Sequence, residues 1–197
     1  IDNFSDNNSQ VIYYTPTWRP YDYTFPLNLM KNFDYKKFND FLLKTNSFFV
    51  FTLHSERAFS KLPDNLNRIK FLNTKNFPLF DSNMFMTETR ILINDYSTTS
   101  TDYCLLERPQ IFFMPDFKKY NEVKGFIEDY KKIIPGKEIH DYDEFVELIK
   151  VYLEKPESYN KDYDSRIEIY MEKYYDKKNY NSCELFDKFI YNLVKNK

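Results

Sequence analysis

A run of hydroxyl side chains flanked by two carboxylates is the stretch of this sequence best suited to chemistry. Ser97, Thr98 and Thr99 begin the run, and Asp95 and Asp102 flank it. The run follows an apolar stretch that predicts a strand and opens a stretch that predicts a helix. Unpaired backbone N–H groups and the positive end of the helix dipole favour an anion at such a point. The pattern predicts a phosphate site, although an ordinary helix cap uses the same residue types.

Polar residues also follow two other predicted strands. Thr17 and Arg19 come after the first strand, and His54 ends the second. Ligands of doubly wound sheets bind outside the carboxyl ends of the strands, so we expect these side chains near the hydroxyl run. The planar fork of Arg19 suits a phosphate or a carboxylate, and a surface ion pair is the alternative. His54 could donate to a phosphate oxygen or to a backbone carbonyl.

Glycine is nearly absent from the chain. Gly125 and Gly136 are the only two glycines, which excludes both a P-loop and a Gly-x-Gly-x-x-Gly fingerprint. Hydroxyls and a helix N-terminus are then the available means of holding a phosphate.

The composition limits the classes of protein that this chain can represent. Its 197 residues are 42% hydrophobic, enough for one core and one domain spanning residues 1–197. A formal charge of −2 provides no general attraction for nucleic acid, so no nucleic-acid partner is expected. The two cysteines have no metal or redox spacing, which favours a reducing compartment, and no metal site is expected. No apolar run approaches the roughly 20 residues that cross a bilayer.

Predicted strands alternate with predicted helices along the first two thirds of the chain. The apolar runs are too continuous for burial on one face, which indicates a parallel sheet covered by helices on both sides. We therefore expect an α/β, Rossmann-like fold with a helical tail, residues 141–197, packed on the sheet or on a further domain. The predicted strands are 10–15, 47–54, 68–73, 90–96, 109–115 and 137–140; the predicted helices are 33–45, 78–89, 97–109, 142–155, 156–175 and 183–194; residues 116–139 are predicted as a loop with the short strand at its end.

Five sequence elements, taken in order, resemble the CDP-glycerol glycerophosphotransferase family of teichoic-acid-type and capsule-type polyol-phosphate transferases. The elements are "YYTPTWR", "LH", "ILINDYSTTSTDYCLLERPQIFF", "KGFIEDYKKIIPG" and "NSCELFDKFI". The resemblance extends from about Val11 to Ile190. It implies a GT-B arrangement of two Rossmann-like domains, of which this chain matches the C-terminal, donor-binding one. The N-terminal acceptor domain is expected to lie outside this chain.

The resemblance implies a role for each candidate residue in the hydroxyl run and beside it. Ser97 and Thr98 match paired hydroxyls at the donor pyrophosphate, with Thr99 beside them. Asp95 and Asp102 match acidic positions that support the loop.

It also implies roles for the candidates outside the run. Thr17 belongs with the supporting loop, and Arg19 matches the arginine of "PTWR". His54 matches a family histidine that binds phosphate or stabilises the leaving group, although Ser55 replaces the usual proline after it. Lys124-Gly125 stands where Arg-Gly is more common. The lysine retains the positive charge for phosphate binding but lacks the paired donors of a guanidinium.

The implied reaction is displacement at phosphorus. An acceptor hydroxyl attacks the β-phosphorus of a CDP-polyol, and CMP leaves. The resemblance does not distinguish CDP-glycerol from CDP-ribitol as the donor. No tightly bound cofactor or divalent cation is expected. The general base is expected on the N-terminal domain, so this chain alone should bind nucleotide weakly and not catalyse.

The resemblance also implies partners and a location. The expected partners are the CDP-polyol, a polyol-phosphate or saccharide acceptor and the N-terminal domain. The parent enzyme is expected at the cytoplasmic face of the bacterial membrane through peripheral association. Two alternatives remain: a GT-B glycosyltransferase with another nucleotide-sugar donor, and a flavodoxin-like binding or regulatory domain without catalysis.

Overall fold

Six parallel strands form one sheet in the computed structural model of the chain. The model describes residues 9–21, 25–53, 62–72, 77–78, 80–175 and 181–195. The strands follow the order β3-β2-β1-β4-β5-β6 across the sheet. Their bounds are β1 Gln10–Tyr14, β2 Ser47–Thr52, β3 Ile69–Leu72, β4 Thr89–Asn94, β5 Gln110–Phe113 and β6 Lys137–Ile139.

This strand order is that of a doubly wound, Rossmann-like sheet. The chain runs outward from β1 through β2 to β3, then returns to the other side of β1 and continues through β4, β5 and β6. The direction of winding therefore reverses between β1 and β4. The predicted α/β class and the parallel sheet are confirmed.

Helices cover the sheet, and several begin at an aspartate whose carboxylate accepts backbone N–H bonds. Asp34 caps α1 through Lys37, and Asp141 caps α6 through Glu144. The α-helices in the described residues are α1 Tyr35–Lys44, α2 Ser82–Glu88, α3 Thr99–Cys104, α4 Phe117–Val123, α5 Tyr130–Ile133, α6 Tyr142–Glu154, α7 Glu157–Tyr174 and α8 Ser182–Lys195; a short 3-10 helix spans Pro26–Leu29.

The strands bury side chains on both faces. In β1, Ile12 and Tyr14 belong to the larger core, which also contains buried Phe145. Val11 and Tyr13 alternate with them and belong to a second core on the opposite face. This two-sided burial explains why the strand sequences are continuously apolar.

The predicted loop at residues 116–139 is wrong in one respect, because it contains the short helices α4 and α5. Aromatic residues of this segment, among them Phe126 and Tyr130, pack around buried Tyr96 in a third apolar cluster. Short helices gain their stability from such packing rather than from local periodicity. The predicted strand at its end is confirmed as β6.

The helical tail divides into a packed part and an exposed part. Tyr159 of α7 and Phe145 and Ile149 of α6 are fully buried in the larger core. Every residue of α8 is exposed, including Phe186 and Phe189, so this helix does not pack on the sheet. The other expectation for the tail, packing on a further domain, stays a prediction. In the described ranges, no helix combines the length and apolar character needed to cross a membrane.

Candidate functional site

A cavity of about 520 Å³ opens where the winding of the sheet reverses. We call it the switch-point pocket. It lies at the carboxyl ends of β1, β2 and β4, where doubly wound sheets bind their ligands, and its volume is typical of ligand sites. It is lined by Thr15, Pro16, Thr17, Trp18, Thr52, Leu53, Ser82, Tyr96, Ser97, Thr98 and Thr99.

The three hydroxyls predicted as a phosphate site all line this pocket. The Ser97 Oγ lies 2.9 Å from the Thr99 Oγ1 and accepts the Thr99 N–H at 3.3 Å. Thr98 stands at the N-cap position without a capping bond from its side chain, so Ser97 supplies the cap. The N–H groups of Ser100 and Thr101 donate back to the carbonyls of Ser97 and Thr98. Because the N–H groups of Thr99, Ser100 and Thr101 are bonded within the loop, the side-chain hydroxyls are the donors that this stretch can offer to a ligand.

Asp95 joins the loop after β4 to the loop after β1. Its buried carboxylate accepts the Thr17 N–H at 3.0 Å and the Thr17 hydroxyl at 2.6 Å. The Tyr96 N–H also donates to it at 2.5 Å, and the Tyr130 hydroxyl donates to the Asp95 carbonyl at 2.8 Å. These bonds fix the two loops that form opposite walls of the switch-point pocket.

Arg19 lies inside the domain and does not present its guanidinium to the pocket. It is 2% exposed and forms an ion pair with Asp95. Its Nε and Nη2 each donate to Asp116 at 2.9 Å, and its Nη1 donates to the Thr17 carbonyl at 2.7 Å. The guanidinium thus binds the loops after β1, β4 and β5 to one another.

Asp116 is a member of this network that was not among the residues predicted for the site. Its carboxylate also accepts the Tyr21 hydroxyl at 2.9 Å and the Tyr96 hydroxyl at 3.0 Å. Burial raises the pKa of Asp116, but the hydrogen bonds and charge of Arg19, with the two tyrosine hydroxyls, outweigh burial and lower it to about 2. The signal in the sequence was its position directly after β5, at the same edge of the sheet as the other loops.

Aromatic rings pack against this network. The Tyr96 ring stacks on Tyr120 at 4.0 Å, and the Arg19 guanidinium lies 5.0 Å from the Tyr96 centroid. Burial and then the nearby Asp116 charge raise the pKa of Tyr96. The phenol therefore stays protonated and able to donate to Asp116.

A protein-family match covers most of the chain. The model of the CDP-glycerol:poly(glycerophosphate) glycerophosphotransferase family matches residues 4–184. The chain belongs to this family.

Two similar proteins each align with part of this chain. The teichoic acid glycerol-phosphate primase of Bacillus subtilis is 28% identical over 122 residues, covering 62% of this chain and 29% of the primase. The teichoic acid ribitol-phosphate polymerase TarL of Staphylococcus aureus is 24% identical over 143 residues, covering 71% of this chain and 25% of TarL.

A solved structure of the wall teichoic acid polymerase TagF shares the fold. It superposes with a TM-score of 0.69 at 21% identity, over 96% of this chain and 45% of the TagF chain. A TagF variant soaked with CDPG matches with a TM-score of 0.67 at 22% identity, over 95% of this chain and 43% of that one. The chain thus spans less than half the length of the TagF chain.

Of the remaining predicted residues, Lys124 and Gly125 lie near the switch-point pocket and Asp102 lies away from it. Lys124 is exposed, with its Nζ 5.3 Å from the ring centroid of Trp18 at the pocket wall. Gly125 follows it with a φ of +72°, the left-handed conformation that ends α4. Asp102 accepts the Tyr175 hydroxyl at 2.7 Å and so connects α3 to the end of α7 rather than to the pocket.

His54 lies outside the described residues. Thr52 and Leu53, which precede it, line the switch-point pocket. The described residues contain no group of three His, Cys, Asp or Glu side chains that could hold a metal ion.

Proposed function

We propose that this chain binds a CDP-polyol in the switch-point pocket and forms the donor half of a polyol-phosphate transferase. The observation that carries the proposal is the position of Ser97, Thr98 and Thr99 in a ligand-sized pocket of a family member. The whole reaction is part of the proposal, because the chain spans only a fraction of its relatives.

The pyrophosphate of the donor would bind the hydroxyls of the pocket. Ser97 and Thr99 already form a bonded pair there, so exchanging that bond for a phosphate oxygen requires little rearrangement. The apolar walls at Pro16, Trp18 and Leu53 suit the nucleoside and the polyol carbons. The CDPG-soaked TagF structure supports a donor of this class.

The chemical step would move polyol phosphate from one oxygen to another. The acceptor hydroxyl forms a bond to the β-phosphorus, the bond from that phosphorus to the bridging oxygen breaks, and CMP leaves with the bonding electrons. Hydrogen-bond donors placed where negative charge develops lower the barrier for such a step. In this proposal Ser97, Thr98 and Thr99 contact the donor phosphates, with Lys124 at the rim and His54 beyond Leu53.

Arg19 has a positioning role in this proposal rather than a phosphate contact. Its donors hold Asp95, Asp116 and the Thr17 carbonyl, and these groups fix the walls of the pocket. Asp102 and Gly125 likewise shape the surrounding helices.

The acceptor, the general base and the location complete the proposal. In this proposal the general base lies on an N-terminal domain that pairs with this chain in the whole enzyme. The acceptor is a polyol-phosphate or saccharide hydroxyl of a teichoic-acid-like or capsule polymer. In this proposal the reaction takes place at the cytoplasmic face of the membrane, with peripheral attachment of the whole enzyme.

Calorimetric titration of the chain with CDP, CMP, UDP and FMN tests the proposal. We expect weak binding of CDP and CMP and weaker binding of UDP. Preference for UDP would support another nucleotide-sugar enzyme. Tight FMN binding without a cytidine response would contradict the proposal in favour of a flavodoxin-like domain.

A further inference from the structure

A second cleft, of about 460 Å³, opens beside the switch-point pocket at the carboxyl ends of β5 and β6. Its charged and titratable lining residues are Lys31, Lys118, Lys131, Glu138 and His140, and we call it the basic cleft. None of these residues has a part in the proposed binding of the donor.

The basic cleft carries an excess of positive charge. Lys131 is neutralised locally, because its Nζ lies 2.7 and 2.9 Å from the two carboxylate oxygens of Glu138. Lys31 and Lys118 are exposed, and neither forms an ion pair within the described part of the chain. In a chain with a formal charge of −2, these two lysines create a local field that attracts anions.

The switch-point pocket differs from the basic cleft in charge. All of its described lining residues are uncharged. Apart from Lys124 beside Trp18 at the rim of the switch-point pocket, the lysines described near the two cavities belong to the basic cleft or its surroundings.

The two cavities are neighbours on the same edge of the sheet. β5 and β6 follow β4 directly in the strand order, so the openings are roughly 10 Å apart at a strand spacing of about 4.8 Å. The rings of Tyr96 and Phe117 separate them, with centroids 6.4 Å apart. Tyr96 lines the switch-point pocket, and Phe117 lines the basic cleft. One extended ligand could therefore occupy both sides of this aromatic wall.

We propose that the basic cleft binds phosphodiesters of a polyol-phosphate acceptor chain, behind the terminal hydroxyl that reaches the switch-point pocket. This inference rests on the proposed function, which requires an acceptor next to the donor. An acceptor chain of this type carries a negative charge at every phosphodiester, so its next phosphates fall close to the reacting end. The flexible ammonium groups of Lys31 and Lys118 attract phosphates as point charges and do not require a fixed hydrogen-bond geometry. Such contacts suit a flexible polymer that must move after each addition.

Removal of the two unpaired lysines tests the inference directly. The chain is titrated by calorimetry with a synthetic oligo(glycerol phosphate) of four units, and separately with CDP. In Lys31→Ala/Lys118→Ala we expect oligomer binding to weaken about tenfold, because two charge-assisted contacts are lost. The Kd for CDP and the Tm should stay unchanged, since both side chains are exposed and outside the switch-point pocket.

A matched control separates the cleft from overall charge. Lys150→Ala/Lys161→Ala removes the same charge from exposed positions on α6 and α7. It should leave oligomer binding within about twofold of the wild type, since distant surface charges are screened by salt. Equal losses in the two double variants would overturn the inference.

A third variant should increase affinity, which an unfolded protein cannot do. Glu138→Gln releases Lys131 and removes the carboxylate that repels phosphate, so we expect oligomer binding to tighten about two- to fivefold. Unchanged or weaker binding in this variant would contradict the assignment. Failure of CDP to bind the wild type counts against the proposed function, whereas failure of the lysine variants to discriminate counts against the basic cleft.

Discussion

Replacing Asp116 with asparagine tests whether the buried network holds the loops of the switch-point pocket. In the wild type, two guanidinium donors of Arg19 and the hydroxyls of Tyr21 and Tyr96 converge on this carboxylate. Asp116→Asn keeps the size of the side chain but removes its charge. Arg19 then remains buried with Asp95 as its single carboxylate partner.

The expected cost follows from the pKa of the carboxyl group. A fall from the ordinary value of 3.8 to about 2 corresponds to at most about 2.5 kcal/mol of folding free energy. Asp116 is partly exposed, so screening by solvent reduces this to about 1–2 kcal/mol. Because the folded-state pKa lies below the unfolded one, the contribution is complete above about pH 4 and is lost as the pH falls through about 2.

Urea unfolding at pH 7, 4, 3 and 2 measures this difference. We expect Asp116→Asn to be about 1–2 kcal/mol less stable at pH 7, with the gap closing between about pH 4 and 2. The control is Asp164→Asn, on the exposed face of α7, which should change stability by less than about 0.5 kcal/mol. A variant as stable as the wild type at pH 7, or a deficit of constant size across the pH range, would refute this reasoning.

Three further changes probe the pocket and its support. Ser97→Ala/Thr98→Ala should weaken CDP binding about tenfold in calorimetry while losing only about 1 kcal/mol of stability for the cap; normal binding would remove these hydroxyls from the site. His54→Ala should lower CDP affinity with little change in Tm, and an unchanged titration would exclude His54 from phosphate binding. Gly136→Ala should lower the Tm by several degrees, because its Cβ would lie 2.4 Å from the Gln110 carbonyl oxygen; a Tm equal to the wild type would show that the backbone can move there.

The sheet and the pocket hydroxyls could be predicted because both depend on local patterns. Continuously apolar runs alternate with helical patterns, and that alternation defines a parallel sheet. The hydroxyl run stands directly after β4, and ligands of doubly wound sheets bind at the carboxyl ends of the strands. This rule predicted that Ser97, Thr98 and Thr99 lie at a ligand pocket, and all three line one pocket in the structure.

The orientation of Arg19 could not be predicted in the same way. Its partners Asp95 and Asp116 lie 76 and 97 residues further along the chain, and no spacing in the sequence reports such a pair. An arginine after a strand has the same local pattern whether it faces a ligand or a buried carboxylate. The fold alone brings the three loops together.

Helices α4, α5 and α8 show two further limits of sequence patterns. α4 and α5 are too short for periodicity to reveal them, and their aromatic residues gain order from packing around Tyr96. In α8 the apolar stripe correctly predicts a helix, but a stripe does not identify what the helix packs against. The pattern therefore did not decide between the sheet and a further domain as its partner, and in the structure α8 does not pack on the sheet.

Mapping of amide shifts by NMR during a CDP titration tests the central claim most directly. If the donor pyrophosphate binds the switch-point pocket, the largest shifts fall on Ser97, Thr98 and Thr99, together with the Trp18 indole on the opposite wall. Shifts concentrated instead at Lys118 and Lys131 in the basic cleft, with Ser97–Thr99 unmoved, would contradict the account.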